Sequence, residues 1–325
     1  MLRGGVRPRP LANNSSPMSS TVVPKRDKRH RRRALLGMAL VAPLVIWLLL
    51  TIAYPIFSLI RLSFLDVGII GTGGDFVGLA NYQKVLSSRT FAPSMGRSLV
   101  WVLGNGVLQT VLAFIAALVL NLPFRGRALA RTWVILPWIV PTVVAVIVWR
   151  WMLGTSGGIV NTVLLRLGLV QEQIGFFSTG ASAMTSLVVM NSWRFFPLLT
   201  IIILAGMQSI GEDLYAAAAV DGASAWRRFL HITLPGLQPV LFVMGLVGTL
   251  WSVNIFDVIY LVTGGGPSRA TMTMPVLIYD MAFLQYRLGR AAAAAVLMAL
   301  VVSLFTVLFI YFLAPRGDDQ DEAWR

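Results

Sequence analysis

The sequence predicts an all-α polytopic membrane protein with six transmembrane helices, and three observations carry that reading. Hydrophobic residues make up 57% of the 325-residue chain and charged residues only 12%, about half the charge of a soluble domain. The apolar residues gather into runs of about 20 or more, the length a helix needs to cross a bilayer. The runs are continuous rather than alternating, which argues against barrel strands.

Taken in order, the runs lie near 34–60, 98–121, 133–153, 184–207, 238–262 and 289–313. Pro43, Pro55, Pro137, Pro141 and Pro197 fall inside or at the ends of these runs. Membrane helices tolerate proline when neighbouring groups take up the freed carbonyls, so each run is expected to be one span. Residues 1–33, rich in Arg, Pro, Ser and Asn, are expected to form a disordered basic tail. Residues 34–313 form the membrane domain, and 314–325 form a second tail.

The formal charge of +14 is concentrated in the run Lys25-Arg26-Asp27-Lys28-Arg29-His30-Arg31-Arg32-Arg33. A cleavable signal fits poorly, because the apolar stretch after the run is too long and more spans follow it. A nucleic-acid arm has no fold around it to support it. An anchor on the cytoplasmic side, touching anionic lipid, fits best. With the N-terminus inside, cytoplasmic segments hold 17 Lys and Arg against 8 in the outer segments. That asymmetry favours both termini in the cytoplasm. Arginine far outnumbers lysine (only Lys25, Lys28 and Lys84), which suits a bacterial cell membrane of high-GC origin. The chain has no cysteine, and His30 and His231 lie too far apart for a metal site.

This topology puts a polar loop, 208–237, in the cytoplasm. Glu212 and Asp213 suit a helix start. Tyr215 and then Ala216, Ala217 and Ala218 offer a smooth helical face. Asp221-Gly222-Ala223 breaks the run, Ser224 can cap a second helix bearing Trp226 and Phe229, and Pro235 ends the element. Such a loop either grips a soluble partner or lies as an amphipathic connector on the headgroups.

Polar groups inside the spans are candidates for a substrate pathway. Arg194 falls mid-span with Asn191 and Trp193 beside it; Trp251, Asn254, Asp257 and Tyr260 lie in the fifth run. A mid-membrane arginine costs roughly 2.5–3.5 kcal/mol on insertion scales, so it should face protein or water. Amide, carboxylate and indole groups together suit a sugar, and an Arg194–Asp257 ion pair holding two helices together is the structural alternative. The chain holds no Gly-x-x-x-x-Gly-Lys-[Ser/Thr] segment, so no P-loop is expected. The glycines 264–266 read as a flexible outer turn. No nucleophile–base pair or carboxylate dyad appears, so no catalytic residue is expected and the chain is not expected to be an enzyme.

Tyr215-Ala216-Ala217-Ala218-Ala219-Val220-Asp221-Gly222-Ala223, followed by Ile232-Thr233-Leu234-Pro235, resembles the cytoplasmic "EAA" loop of permease subunits in binding-protein-dependent ABC importers. Phe76-Val77-Gly78-Leu79-Ala80-Asn81-Tyr82 narrows the resemblance to carbohydrate-type permeases. So do Leu120-Asn121 with Arg125, Arg127 and Arg131, and the block from Phe256 through Thr263-Gly264-Gly265-Gly266-Pro267 to Thr271, Tyr279, Phe283 and Gly289. The Thr-Gly-Gly-Gly-Pro pattern is similar to the subunit type found in maltose and glycerol-phosphate importers. The similarity covers nearly all of 34–313.

The resemblance implies the ABC importer permease fold and a disaccharide or oligosaccharide such as trehalose or maltose as cargo, with glycerol phosphate as the alternative. It implies a second, non-identical permease subunit, an ATPase dimer that binds ATP and Mg, and an extracytoplasmic binding protein as partners, with membrane lipid and no nucleic acid. No cofactor is expected on this chain. One departure is plain: Ala216 stands where the family usually has glutamate. The rival classes are an ion-driven secondary transporter, a membrane enzyme and a non-transporting scaffold. Inverted repeats and matched broken helices, which would favour the first of these, are not visible in the sequence.

Overall fold

A computed structural model describes residues 28–68 and 74–314; most of the basic tail and the tail after 314 lie outside them. The chain divides into a segment up to Ile56 and a unit from Phe57 onward. Among the described residues, four helices are long and apolar enough to cross a membrane: Leu36–Ser63, Phe91–Asn121, Gly180–Gln208 and Leu288–Leu313. Two bent helix pairs bring the number to six when each counts as one span.

The first helix begins at Lys28 rather than near 34, so residues 28–33 of the basic run are helical and not part of a tail. Lysine and arginine are good helix formers, and nothing at residue 34 interrupts them. A π turn, Leu49–Ala53, precedes Tyr54–Ser63. Pro55 accounts for it: its ring would collide with the carbonyl four residues back, and a wider turn makes room. Leu40, Trp47 and Leu50 in this segment are exposed.

In the main unit the second and fourth spans, Phe91–Asn121 and Gly180–Gln208, run against each other along small residues. A Cβ on Gly104 would sit 3.3 Å from Val188, and Ala113 and Ala117 are fully buried. Small residues let membrane helices approach closely and gain packing where no hydrophobic effect drives them together. Two apolar clusters result. One joins Trp101, Leu187, Ile259, Met274, Leu277 and Ala293; the other joins Ala113, Ala117, Ile203, Leu204 and Leu237.

The third run is not one continuous helix. Helix Arg127–Ile139 stops and Thr142–Met152 starts at a 92° bend. Val140 is extended (φ −62°, ψ 127°), as expected of a residue before proline, and Pro141 has no N–H to continue the ladder. Pro137, by contrast, stays within its helix.

The fifth run is also interrupted. Helix Gln238–Asn254 ends, Ile255 is extended, and a separate helix Asp257–Thr263 follows. No proline lies at this break. Instead, side chains bond to backbone carbonyls at the helix end, and one of these, Ser252 O, is an acceptor that a continuing helix would use. Asn254 Nδ2 donates to Leu250 O at 2.7 Å, and Trp101 Nε1 donates to Ser252 O at 3.0 Å. Local bonds of the first kind compete with helix continuation. At the other end, Ala225–Gly236 meets Gln238–Asn254 at 64°.

The segments between spans are ordered where described. Leu65–Asp66 and Asp75–Phe76 pair as a short antiparallel hairpin. Asn81, fully buried, donates from Nδ2 to Ser63 O at 3.0 Å and to Leu65 O at 2.9 Å. The start of the sixth span passes so close that a Cβ on Gly289 would lie 2.1 Å from Leu65 O. Two residues quoted from separate sequence motifs thus meet at one junction.

Candidate functional site

The break in the fifth helix opens onto a cavity of about 320 Å3. Trp251, Asn254 and Asp257 line it together with Gln109, Ser252 and Phe195. Interrupted backbone at membrane depth is tolerated where it lines a cavity or is covered by protein, and here it does line one. The wall is largely apolar, with an indole face, two side-chain amides and a carboxylate set into it.

Gln109 ties the cavity to a buried polar node. Its Nε2 donates to Asn105 Oδ1 at 3.0 Å, and Asn191 Nδ2 donates to the same oxygen at 2.7 Å. Asn105 Nδ2 donates in turn to Trp101 O at 2.8 Å. The chain of bonds reaches from the second span to the fourth, and through the Trp101 indole to the fifth. Buried groups paired in this way hold elements in register, and breaking one bond leaves others unpaired at a cost of about 1–3 kcal/mol.

Four of the seven pathway candidates lie elsewhere. Asn191 is 1% exposed within the node. Trp193 packs edge-on against Trp149, centroids 5.7 Å apart. Arg194 lies over the Phe195 ring at 5.1 Å, and its Nε has no partner; among the described residues the Arg194–Asp257 ion pair is not formed. The guanidinium lies over an aromatic face of its own helix, an attraction that requires no carboxylate. Tyr260 stacks on Phe256 at 4.9 Å and tilts against Tyr279 at 4.7 Å, in a cluster of three rings. Gln109 and Ser252, absent from the sequence-based candidates, are polar residues inside predicted spans, so the criterion that singled out Asn254 also reaches them.

The Thr263-Gly264-Gly265-Gly266-Pro267 turn is not a flexible outer turn. Thr263 Oγ1 shares a 2.7 Å bond with Thr271 Oγ1, and Thr271 Oγ1 lies 2.7 Å from Gly266 O. Gly264 and Gly265 have φ +59° and +89°. A Cβ on Gly265 would press Met272 and Val276 at 3.3 Å. The glycines are there for left-handed backbone under close packing. The residues that follow, Met272, Met274, Val276 and Leu277, are buried in the larger core cluster.

At the opposite end, the helix Glu212–Val220 has no buried residue, and Glu212 and Asp213 occupy its first turn. Gly222, φ +76°, ends it: Gly222 N–H reaches Ala219 O and Ala223 N–H reaches Ala218 O at 2.9 Å, a left-handed stop of the kind glycine permits. Ser224 caps the next helix, Ala225–Arg228. Trp226 stacks on Phe229 at 5.6 Å, and Phe229 meets Phe114 of the second span edge-on at 6.0 Å. Tyr215 Oη and Thr233 Oγ1 lie 2.9 Å apart, fastening the first helix to the second. Pro235 sits within the short helical stretch Leu234–Gly236, and the element ends in the bend beyond it.

The family model described as "Binding-protein-dependent transport system inner membrane component" matches residues 109–318. The chain belongs to this family. The permease is 37% identical over 288 residues to the trehalose/maltose transport system permease protein MalF of Thermococcus litoralis, covering 87% of this chain and 95% of that one. It is 30% identical over 283 residues to the sn-glycerol-3-phosphate transport system permease protein UgpA of Agrobacterium fabrum, with 87% and 96% covered. Among solved structures it resembles that of a bacterial ABC transporter involved in import of the acidic polysaccharide alginate, with TM-score 0.77 and 22% identity over 87% of this chain and 96% of that one. Membership makes the chain a multi-pass membrane transport subunit. It does not favour the ion-driven carrier, although the permease does carry the broken helices that the sequence did not reveal.

Proposed function

We propose that this chain is one half of the translocation pathway of an ATP-driven carbohydrate importer. The observation that carries the reading is the 320 Å3 cavity at the broken fifth helix. Amides and a carboxylate supply hydrogen bonds to sugar hydroxyls, and Trp251 offers a face for C–H surfaces. The relatives named for trehalose and maltose and for glycerol phosphate support a small polyol or sugar cargo. The uncharged character of most of the wall favours a neutral disaccharide. An apolar groove continues from the cavity along Leu198, Ile202, Val243 and Val247, a face suited to a second permease subunit.

On this reading both termini are cytoplasmic, and the loop from Glu212 to Pro235 docks a separate ATPase dimer. That dimer binds ATP and Mg and hydrolyses the nucleotide, while an extracytoplasmic binding protein delivers the sugar. The bare Ala216–Ala219 face lies in the ATPase cleft, with Trp226 and Phe229 passing its motion to Phe114 and the second span. The two states are an inward-open and an outward-open pairing of the permease halves. The test is transport by the complete complex in liposomes, with labelled trehalose and maltose supplied with the binding protein. ATP-dependent accumulation of one sugar, reduced at least tenfold by Asn254→Leu in a normally assembled complex, is expected. Unchanged accumulation in that variant would move the pathway away from this cavity.

A further inference from the structure

The turn between the second and third runs carries Arg125, Arg127 and Arg131 and no acid. Arg127 and Arg131 stand one turn apart on helix Arg127–Ile139, and both reach the end of the fourth span. Gln208 turns its amide oxygen toward them, an orientation that its two donors dictate. Arg127 Nη2 lies 2.9 Å from that oxygen and Arg131 Nη2 2.8 Å. Two cations thus converge on one neutral acceptor. The Nε of each is buried without a partner, and among the described residues neither guanidinium meets a carboxylate. A guanidinium carries five N–H donors, and the shared oxygen occupies only one from each.

Clamping this helix to the fourth span needs a single such donor. A second like charge at the same oxygen adds repulsion. Arg127 also stands in the first turn, where the helix dipole is positive and no acid balances it. An anion with two or more oxygens offsets both costs, because it can accept from the two guanidiniums at once. The other faces of the helix narrow the choice of anion. Ala130 and Val134 pack into the smaller core cluster. Leu129, Trp133 and Leu136 are exposed, the first two by 63% and 64%. On a membrane-spanning chain such an apolar face is covered by lipid chains, and tryptophan favours the level of the headgroups. Phosphates at the membrane edge are therefore within reach of the arginine pair. Basic pockets between membrane helices on the cytoplasmic side are a recurrent setting for anionic headgroups.

We propose that Arg127, Arg131 and Gln208 form a binding site for the phosphate of an anionic lipid in the inner leaflet. The proposal rests on the cytoplasmic placement of this turn and not on the identity of the cargo. Gln208 ends the fourth span just before helix Glu212–Val220, so the lipid is held at the root of that loop. The test uses the complete complex, delipidated in detergent, with phosphatidylglycerol, phosphatidylcholine and inorganic phosphate as separate probes. Bound lipid is read by native mass spectrometry and the unfolding midpoint in parallel. Wild type is expected to retain phosphatidylglycerol over phosphatidylcholine and to unfold at a higher temperature with it. Arg127→Gln/Arg131→Gln is expected to weaken phosphatidylglycerol binding roughly thirtyfold, about fivefold for each charge removed. Gln208→Glu gives both guanidiniums a carboxylate of their own. It should raise the midpoint without lipid and remove the response to phosphatidylglycerol, and it keeps the proposal testable if the double variant fails to assemble. Arg166→Gln, a cation on another loop, is expected to bind lipid like wild type. Equal phosphatidylglycerol binding by wild type, the double variant and Gln208→Glu would overturn the site and leave the importer reading standing. Phosphatidylglycerol bound no more tightly than phosphatidylcholine would do the same. Inorganic phosphate bound as tightly as phosphatidylglycerol would assign the pair to a soluble anion. Loss of the ATPase from the double variant, with lipid binding intact, would assign the pair to the ATPase. Either of these last results would also overturn the proposal.

Discussion

The permease carries two small-residue interruptions between spans, and they meet opposite fates. Residues 263–277 fold inward: Thr271 and Met274 are fully buried, and the glycine turn is closed by side-chain hydrogen bonds. Residues 212–228 fold as regularly, with caps at Gly222 and Ser224, yet the helix Glu212–Val220 buries none of its residues and Val220 is 89% exposed. The first segment's order is maintained by the chain's own core. The second is pre-shaped without a core, as the proposed docking role requires.

The largest expected effect breaks the inward-folded side. Gly289→Val would drive a Cβ into Leu65 O and Asn81 Nδ2, and overpacking at such a contact costs about 3 kcal/mol. Loss of folded protein from detergent extracts, read by thermal unfolding, is the expected outcome. Gly222→Val comes next. Nothing lies within 4 Å of a Cβ there, so the penalty is backbone alone, about 1–2 kcal/mol at φ +76°. The permease should reach the membrane in normal amount and bind no ATPase, while Gly222→Asn, which tolerates left-handed backbone, should retain binding. Wild-type transport by Gly222→Val would remove the loop from the mechanism. Asn105→Leu should lower the unfolding midpoint by an amount equivalent to about 1–3 kcal/mol, since Asn191 Nδ2 and Gln109 Nε2 lose their shared acceptor. Tyr215→Phe should be the mildest, about 1 kcal/mol from the lost bond to Thr233, read as a small drop in coupled ATPase activity without loss of folded protein.

These differences also show which features a sequence can carry. Glu212, Asp213, Gly222 and Ser224 announce the shape of the 212–228 loop because capping and left-handed stops depend on local residue types. The long spans are legible because continuous apolar runs of that length have few other uses. The break at Pro141 was within reach, since Val140-Pro141 is a local signal, but proline in a membrane run is ambiguous between kink and stop. The break at Ile255 was not: it depends on Trp101 reaching Ser252 O from 151 positions away. The same distance hides the cavity, because Gln109 and Asn254 become neighbours only once the second and fifth spans are packed. Arg194 misled for a related reason. Its charge demands a partner, and residue type alone does not say that the partner is the adjacent Phe195 ring.

Cysteine accessibility at Ala217 tests the central claim most directly, because the chain has no cysteine of its own. Ala217→Cys should react readily with a membrane-impermeant maleimide when the permease subunits are purified without the ATPase, and should be strongly protected once the ATPase dimer is assembled. Equal labelling with and without the ATPase would contradict the account, and so would protection that depends only on the lipid present.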